Sequence, residues 1–166
     1  KKVCKQLAGR FAREKAASAK DKQAEGRFEG ARRQFEKLAQ VMQENEGSGS
    51  GVSPHSMAAT ALMLGGALCD EGRYDAAVEK LTEALERFRV LHGNLSEDTA
   101  SALSSLGMAL RQQGKYELTA QRHREALRIR LEVLGPEHVS VAMSHNANGL
   151  LYQRTGMLKE TLASYQ

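Results

Sequence analysis

Apolar side chains along this chain recur at steps of three and four, not two. Ala77, Leu81, Ala84, Leu85, Phe88 and Leu91 form one such series, the stripe of an amphipathic helix. A shorter stripe, Ala61, Leu64 and Leu68, precedes it, and Gly72 separates the two. Ser53 is suited to an N-cap and Pro54 to a first helical turn. Gly72 and Gly93 are suited to helix ends, because glycine takes positive φ at little steric cost. Helices are therefore predicted over residues 54–70 and 75–92. A third stripe holds Leu103, Leu106 and Leu110, with small Ala102, Gly107 and Ala109 that admit a close neighbour. A fourth holds Tyr116, His123, Ala126, Leu127, Val133 and Leu134 and stops at Gly135-Pro136. Val141, Ala142, Leu151 and Tyr152 mark a fifth helix, and a sixth begins near Lys159.

These elements repeat at a fixed step. Gly72-Arg73-Tyr74, Gly114-Lys115-Tyr116 and Gly156-Met157-Leu158 lie 42 residues apart, and Ala58, Ala100 and Ala142 keep the same step. A period in this range marks stacked repeats, each burying its apolar face on its neighbours. The predicted fold class is all-α, an α-solenoid of antiparallel helix pairs with about three and a half to four repeats. Residues 54–95 and 96–137 are whole units, and 138–166 is a truncated one. Residues 1–46 read as a degenerate basic helix pair. Their Glu25-Gly26-Arg27-Phe28 parallels Glu71-Gly72-Arg73-Tyr74 in type, while Lys15, Ser18 and Lys22 replace apolar positions, as in a polar cap. Residues 47–53 are a Gly/Ser linker.

Hydrophobic content of 41% and charge of 27% describe a soluble globular chain. The longest mostly apolar run, Met57 to Cys69, falls short of the roughly 20 residues a membrane helix needs, so no membrane partner is expected. The net charge of +4 resides at the front: residues 1–45 carry 12 Lys/Arg against 6 Asp/Glu, and the remainder 12 against 14. RNA binding through that segment is one reading. Its mixed signs and lack of interleaved aromatics instead describe a solvated helix face, which disfavours nucleic acid. Cys4 and Cys69 follow no metal or redox spacing and suggest a reducing, cytoplasmic setting. The chain opens at Lys1 and stops inside a helical pattern at Gln166, which reads as a segment of a longer protein.

Catalytic signals are missing. There is no Gly-rich phosphate loop ending in Lys-Ser/Thr. His55, His92, His123, His138 and His145 have neither HExxH nor paired-cysteine spacing, so no metal and no cofactor are expected. His123 lies on a core stripe and reads as a satisfied core histidine. Asp70-Glu71 before a turn read as solvated. Arg122, Arg124, Arg128 and Arg130 read as an outer helix face with Glu125 and Glu132 as partners. The chain is not expected to be an enzyme.

A Gly-x-Tyr turn, a glycine on the first helix (Gly65, Gly107, Gly149) and an Ala-Leu pair on the second (Ala84-Leu85, Ala126-Leu127) resemble the tetratricopeptide repeat. The 42-residue step, and Leu134-Gly135-Pro136-Glu137-His138 followed by Val141-Ala142, are similar to its long, kinesin light chain-like form. The resemblance implies a right-handed superhelix whose first helices line a concave, peptide-binding groove. Carried over by position, that groove holds Leu62, Cys69 and Asp70, then Ser101, Ser104, Met108, Arg111 and Gln112, then Met143, Asn146, Leu150, Gln153 and Arg154. Arg111 and Arg154 would meet acidic side chains or carbonyls, and Leu62, Met108 and Leu150 apolar ones. The backbone-holding asparagine of the kinesin light chain type survives only as Asn146, with Leu62 and Ser104 in its place elsewhere. The Lys/Asn carboxylate clamp of some family members is not visible. Thr119 and Thr161 replace a small apolar residue, and His145 and Asn148 fall at positions normally buried, which predicts loose packing in the last repeat. The implied function is a scaffold for protein or peptide partners. The alternative is a structural or self-associating segment, a homo-oligomer, within a larger protein.

Overall fold

The computed structural model of the chain describes residues 26, 29–30, 32–41, 44 and 53–156, with backbone alone at 154 and 155. Five helices follow one another: α1 (Pro54–Asp70), α2 (Tyr74–His92), α3 (Glu97–Gln112), α4 (Tyr116–Leu134) and α5 (Val139–Thr155). Residues 32–41 ahead of them are also helical. The expectations placed on residues 1–25, on 47–52 and beyond 156 lie outside the described residues.

Each helix begins and ends where its local chemistry dictates. Ser53 Oγ accepts from Ser56 N at 3.1 Å and Ser96 Oγ from Thr99 N at 3.1 Å, so each hydroxyl satisfies an amide that the helix leaves orphaned. At the close of α1, Glu71 N donates to Ala67 O and Arg73 N reaches back to Leu68 O at 2.9 Å, with Gly72 at φ +75°. The pattern recurs where Lys115 N meets Leu110 O at 3.0 Å around Gly114 at φ +76°. This is a Schellman-type stop, and it folds the next helix back antiparallel.

Helices α1 and α2 pair, as do α3 and α4, and α2 packs on α3 and α4 on α5. The first helices of successive pairs, α1 and α3, also approach each other directly. Among the described residues α2 and α4 are joined by side chains, such as Arg89 Nη2 to Glu125 Oε1 at 2.7 Å.

Close pairing rests on small residues. A Cβ at Gly65 would stand 2.5 Å from Leu81 Cγ, and a Cβ at Gly107 would overlap the His123 ring. One core runs through α1 to α4 and includes Leu64, Leu81, Leu85, Phe88, Leu103 and Ile129, with Phe35 of the leading segment packed on it. Each such side chain contributes about 1.5–3 kcal/mol by burial. A smaller cluster, Ala120, Leu151 and Tyr152, joins α4 to α5.

Four stripe assignments need correction. Leu91, Tyr116 and Val133 are exposed. They lie in the terminal turns of helices of 19 residues, which outrun partners of 17 and 16. Ala142 is exposed although Ala58 and Ala100 are fully buried. Among the described helices α5 packs on α4 alone, so its far face has no described neighbour. Thr119 is buried as its position demands, and its hydroxyl donates to Lys115 O at 2.9 Å. Asn148 is buried with Oδ1 unpartnered.

Candidate functional site

The residues assigned to a groove lie on α1, α3 and α5. On α1, Leu62 and Cys69 are half-buried, Leu62 packing partly onto the core, and Asp70 is exposed. Burial raises the Cys69 thiol pKa, and the Asp70 charge adds to the effect. On α3, Ser101, Ser104 and Arg111 are half-buried, while Met108 and Gln112 are exposed. On α5, Met143, Asn146, Leu150 and Gln153 are exposed, and the Arg154 side chain lies outside the described residues.

Three of these come together. Ser104, Met108 and Met143 line a cleft of about 210 Å³ between α3 and α5, floored by His123, Arg130, Ser144 and Ala147. Ligand pockets for whole small molecules run to about 300–1,000 Å³. This cleft is smaller than that. The α1 residues do not line it.

Arg130 was expected on an outer face and instead turns inward. Only 11% of its side chain is exposed. Nη1 donates to Ser144 Oγ at 2.7 Å and Ser104 Oγ at 2.9 Å, and Nε lies 3.3 Å from Glu97 Oε1. One guanidinium thus ties α4 to both α3 and α5. Its neighbours keep to the expected pattern: Arg122 sits 3.5 Å from Glu125, and Arg128 3.5 Å from Glu132. The sequence held a signal for Arg130. It stands one period after Phe88, a fully buried ring, so its position is a core position.

His123 stands one period after Leu81. It was expected to be buried and satisfied. It is buried, at 7% exposure, but neither ring nitrogen has a hydrogen-bond partner. Its pKa is lowered, first by burial and then by the positive charge of Arg111; the Ser104 backbone opposes this, though outside hydrogen-bond geometry, and Arg130 adds a smaller lowering. The imidazole is accordingly neutral near neutral pH. Arg111 Nε is likewise buried without a partner.

The arrangement suits recognition more than catalysis. The Ser104 and Ser144 hydroxyls face a guanidinium, which is a donor and cannot take their protons. Arg111 Nε, without a partner beside the neutral imidazole, favours an acceptor-rich group, while Arg130 is already paired with Glu97. Among the described residues no cluster of His, Cys and carboxylates that could ligate a metal includes a residue assigned to the groove, and no helix is long and apolar enough to cross a membrane.

The sequence profile of the tetratricopeptide repeat matches residues 56–131 and again 98–166. In three dimensions the chain is similar to the crystal structure of BtubC (BKLC) from P. vanneervenii, with a TM-score of 0.74 over 86% of this chain and 23% sequence identity. The chain spans 54% of that protein's length. At this identity the likeness speaks for the fold. No curated protein matches the sequence.

Proposed function

Because the chain belongs to the tetratricopeptide repeat family, we propose that it is a non-catalytic interaction module that seats an extended or short helical segment of a partner protein along α1, α3 and α5. The cleft at Arg130 and His123 is the observation that carries this reading. Core positions have turned polar there, beside exposed methionines. An acidic side chain of the partner enters the cleft. Met108, Met143 and Leu150 take apolar side chains, methionine being adaptable to varied shapes. The half-buried free thiol at Cys69 supports a reducing compartment, the cytoplasm, as the setting.

A random peptide library displayed against the full chain tests this. Enriched peptides should pair an acidic residue with nearby apolar ones. Binding should fall at least about tenfold, near 1.4 kcal/mol, in Met108→Glu and in Met143→Glu. It should be unchanged in Val90→Glu, whose side chain is 86% exposed on α2. Peptides lost with Val90→Glu and kept with both methionine variants would place the binding face elsewhere.

A further inference from the structure

His55, His92 and Asp98 belong to three helices, yet their side chains meet. His55 lies in the first turn of α1, His92 is the last residue of α2, and Asp98 lies in the first turn of α3. Antiparallel pairing brings the first two together, and the short connection after Gly93 returns the third. His55 Nδ1 is 3.1 Å from His92 Nε2, and His92 Nε2 is 3.6 Å from Asp98 Oδ2. One ligand atom from each of the three residues lies within 4.8 Å of the other two.

We propose that this cluster is a binding site for a divalent transition-metal ion of the zinc class. Two imidazole nitrogens and one carboxylate oxygen are the ligands, and water fills the remaining position. Zinc bonds of about 2.0–2.1 Å in a tetrahedron put ligand atoms about 3.3–3.4 Å apart. The two short separations here lie on either side of that spacing, so closing on an ion needs shifts of tenths of an ångström along those edges. The donor set selects zinc, nickel or copper over magnesium and calcium, which prefer oxygen throughout.

The rings are held in place. His55 packs edge-on against Phe88 at a centroid distance of 5.7 Å, and Phe88 is fully buried. His92 lies 5.2 Å from the His55 ring and 6.3 Å from Phe88. A buried aromatic wedge thus orients both imidazoles before any ion arrives. The cluster is open to solvent on its outer side, so an ion enters without parting the core.

Nor is the cluster a by-product of the repeat. One period later the same three positions are Glu97, Leu134 and Ser140, which cannot reproduce it. It marks only the joint between the first two helix pairs, where an ion would clamp the ends of α1 and α2 to the start of α3. Sequence spacing hides it, because the histidines stand 37 residues apart and only the hairpin brings them together.

Zinc titration of the metal-stripped, thiol-alkylated chain by calorimetry tests the site, with thermal unfolding measured with and without zinc. One zinc per chain and a raised melting temperature are expected. His55→Ala and His92→Ala should each weaken binding more than the loss of an outer-shell partner does, which is about 10–100-fold. Asp98→Asn should weaken it less, and His138→Ala not at all. Magnesium should not compete. Both key histidines are exposed, and circular dichroism verifies that the variants stay folded. No zinc binding to the wild type, or one-to-one binding that survives both His→Ala changes, would overturn the proposal.

Discussion

Replacing His123 with leucine should make the protein more stable. The imidazole is buried beneath Gly107 with both nitrogens unpartnered. A buried polar group left unsatisfied is destabilising by about 1–3 kcal/mol. Leucine carries no such group, and the site has already been shaped for it: one period earlier Leu81 packs beneath Gly65 in the same relation, fully buried. The substitution breaks no hydrogen bond and adds apolar burial. We expect His123→Leu to gain about 1–3 kcal/mol near neutral pH, with each kcal/mol raising the melting temperature by about 2–4 °C. Urea unfolding followed by circular dichroism measures it.

Acid sharpens the test. The folded-state pKa of His123 lies below its ordinary value of 6.5, so on acidification the unfolded chain takes up this proton first. The stability tied to the neutral ring is complete above about pH 6.5 and is lost as pH falls toward and through the folded value. The advantage of the leucine variant should therefore widen between about pH 6.5 and 5. A variant that is no more stable than wild type at neutral pH, with a gap that does not change on acidification, would refute the idea that the ring is buried unsatisfied. Binding should move the other way, because the change removes a polar group from the cleft.

Gly65→Ala should destabilise by about 1–3 kcal/mol, since its Cβ would lie 2.5 Å from Leu81 Cγ; chemical denaturation of this variant and of its double with Leu81→Ala should show the two changes coupled. Arg130→Ala should lose about 1.5–3 kcal/mol, because hydrogen bonds from a charged group to Ser104, Ser144 and Glu97 vanish together. Arg130→Lys should not rescue it, since a single ammonium lacks the planar fork. Gly114→Ala should lose about 1–2 kcal/mol by thermal unfolding, φ being +76° there. Arg89→Ala should lose no more than about 1 kcal/mol, and less in high salt, since its partner Glu125 is reached near the surface.

The helices were legible because their signals are local. Ser53, Pro54, Gly72 and Gly93 act on the residues beside them, and the stripe from Ala77 to Phe88 reads directly as a buried face. Arg130 was not legible from its own helix. Its neighbours Arg122, Arg124 and Arg128 set the expectation of a solvated face, and charge composition does not say which way a side chain turns. What decides is the 100° step of the helix together with the partner's chemistry: position 130 faces Ser104 on α3 and Ser144 on α5, whose hydroxyls accept its hydrogen bonds, and Glu97, which meets its charge. His123 was half legible. Its stripe foretold burial, but whether a nitrogen finds a partner depends on atoms brought in by another helix.

The period itself separates the fold from the site. Where the copies agree, as at Gly65 and Gly107, or Ala84 and Ala126, the residues build the hairpin. Where they disagree within the core, the sequence is giving up stability. Leu81 becomes His123, Phe88 becomes Arg130 and Leu62 becomes Ser104. His123, Arg130 and Ser104 line one cleft, whereas Leu106 becoming Asn148 and Ala77 becoming Thr119 are buried polar changes outside it. A buried polar network of this kind is tolerated most readily where it serves a ligand, since its unfilled donors become an asset only when an acceptor arrives. On that logic the unpartnered nitrogens of His123 and Arg111 should gain protection when a peptide binds. Slower hydrogen exchange confined to the facing turns of α3 and α4 would show it, and an unchanged pattern would mean that the cleft is a packing fault.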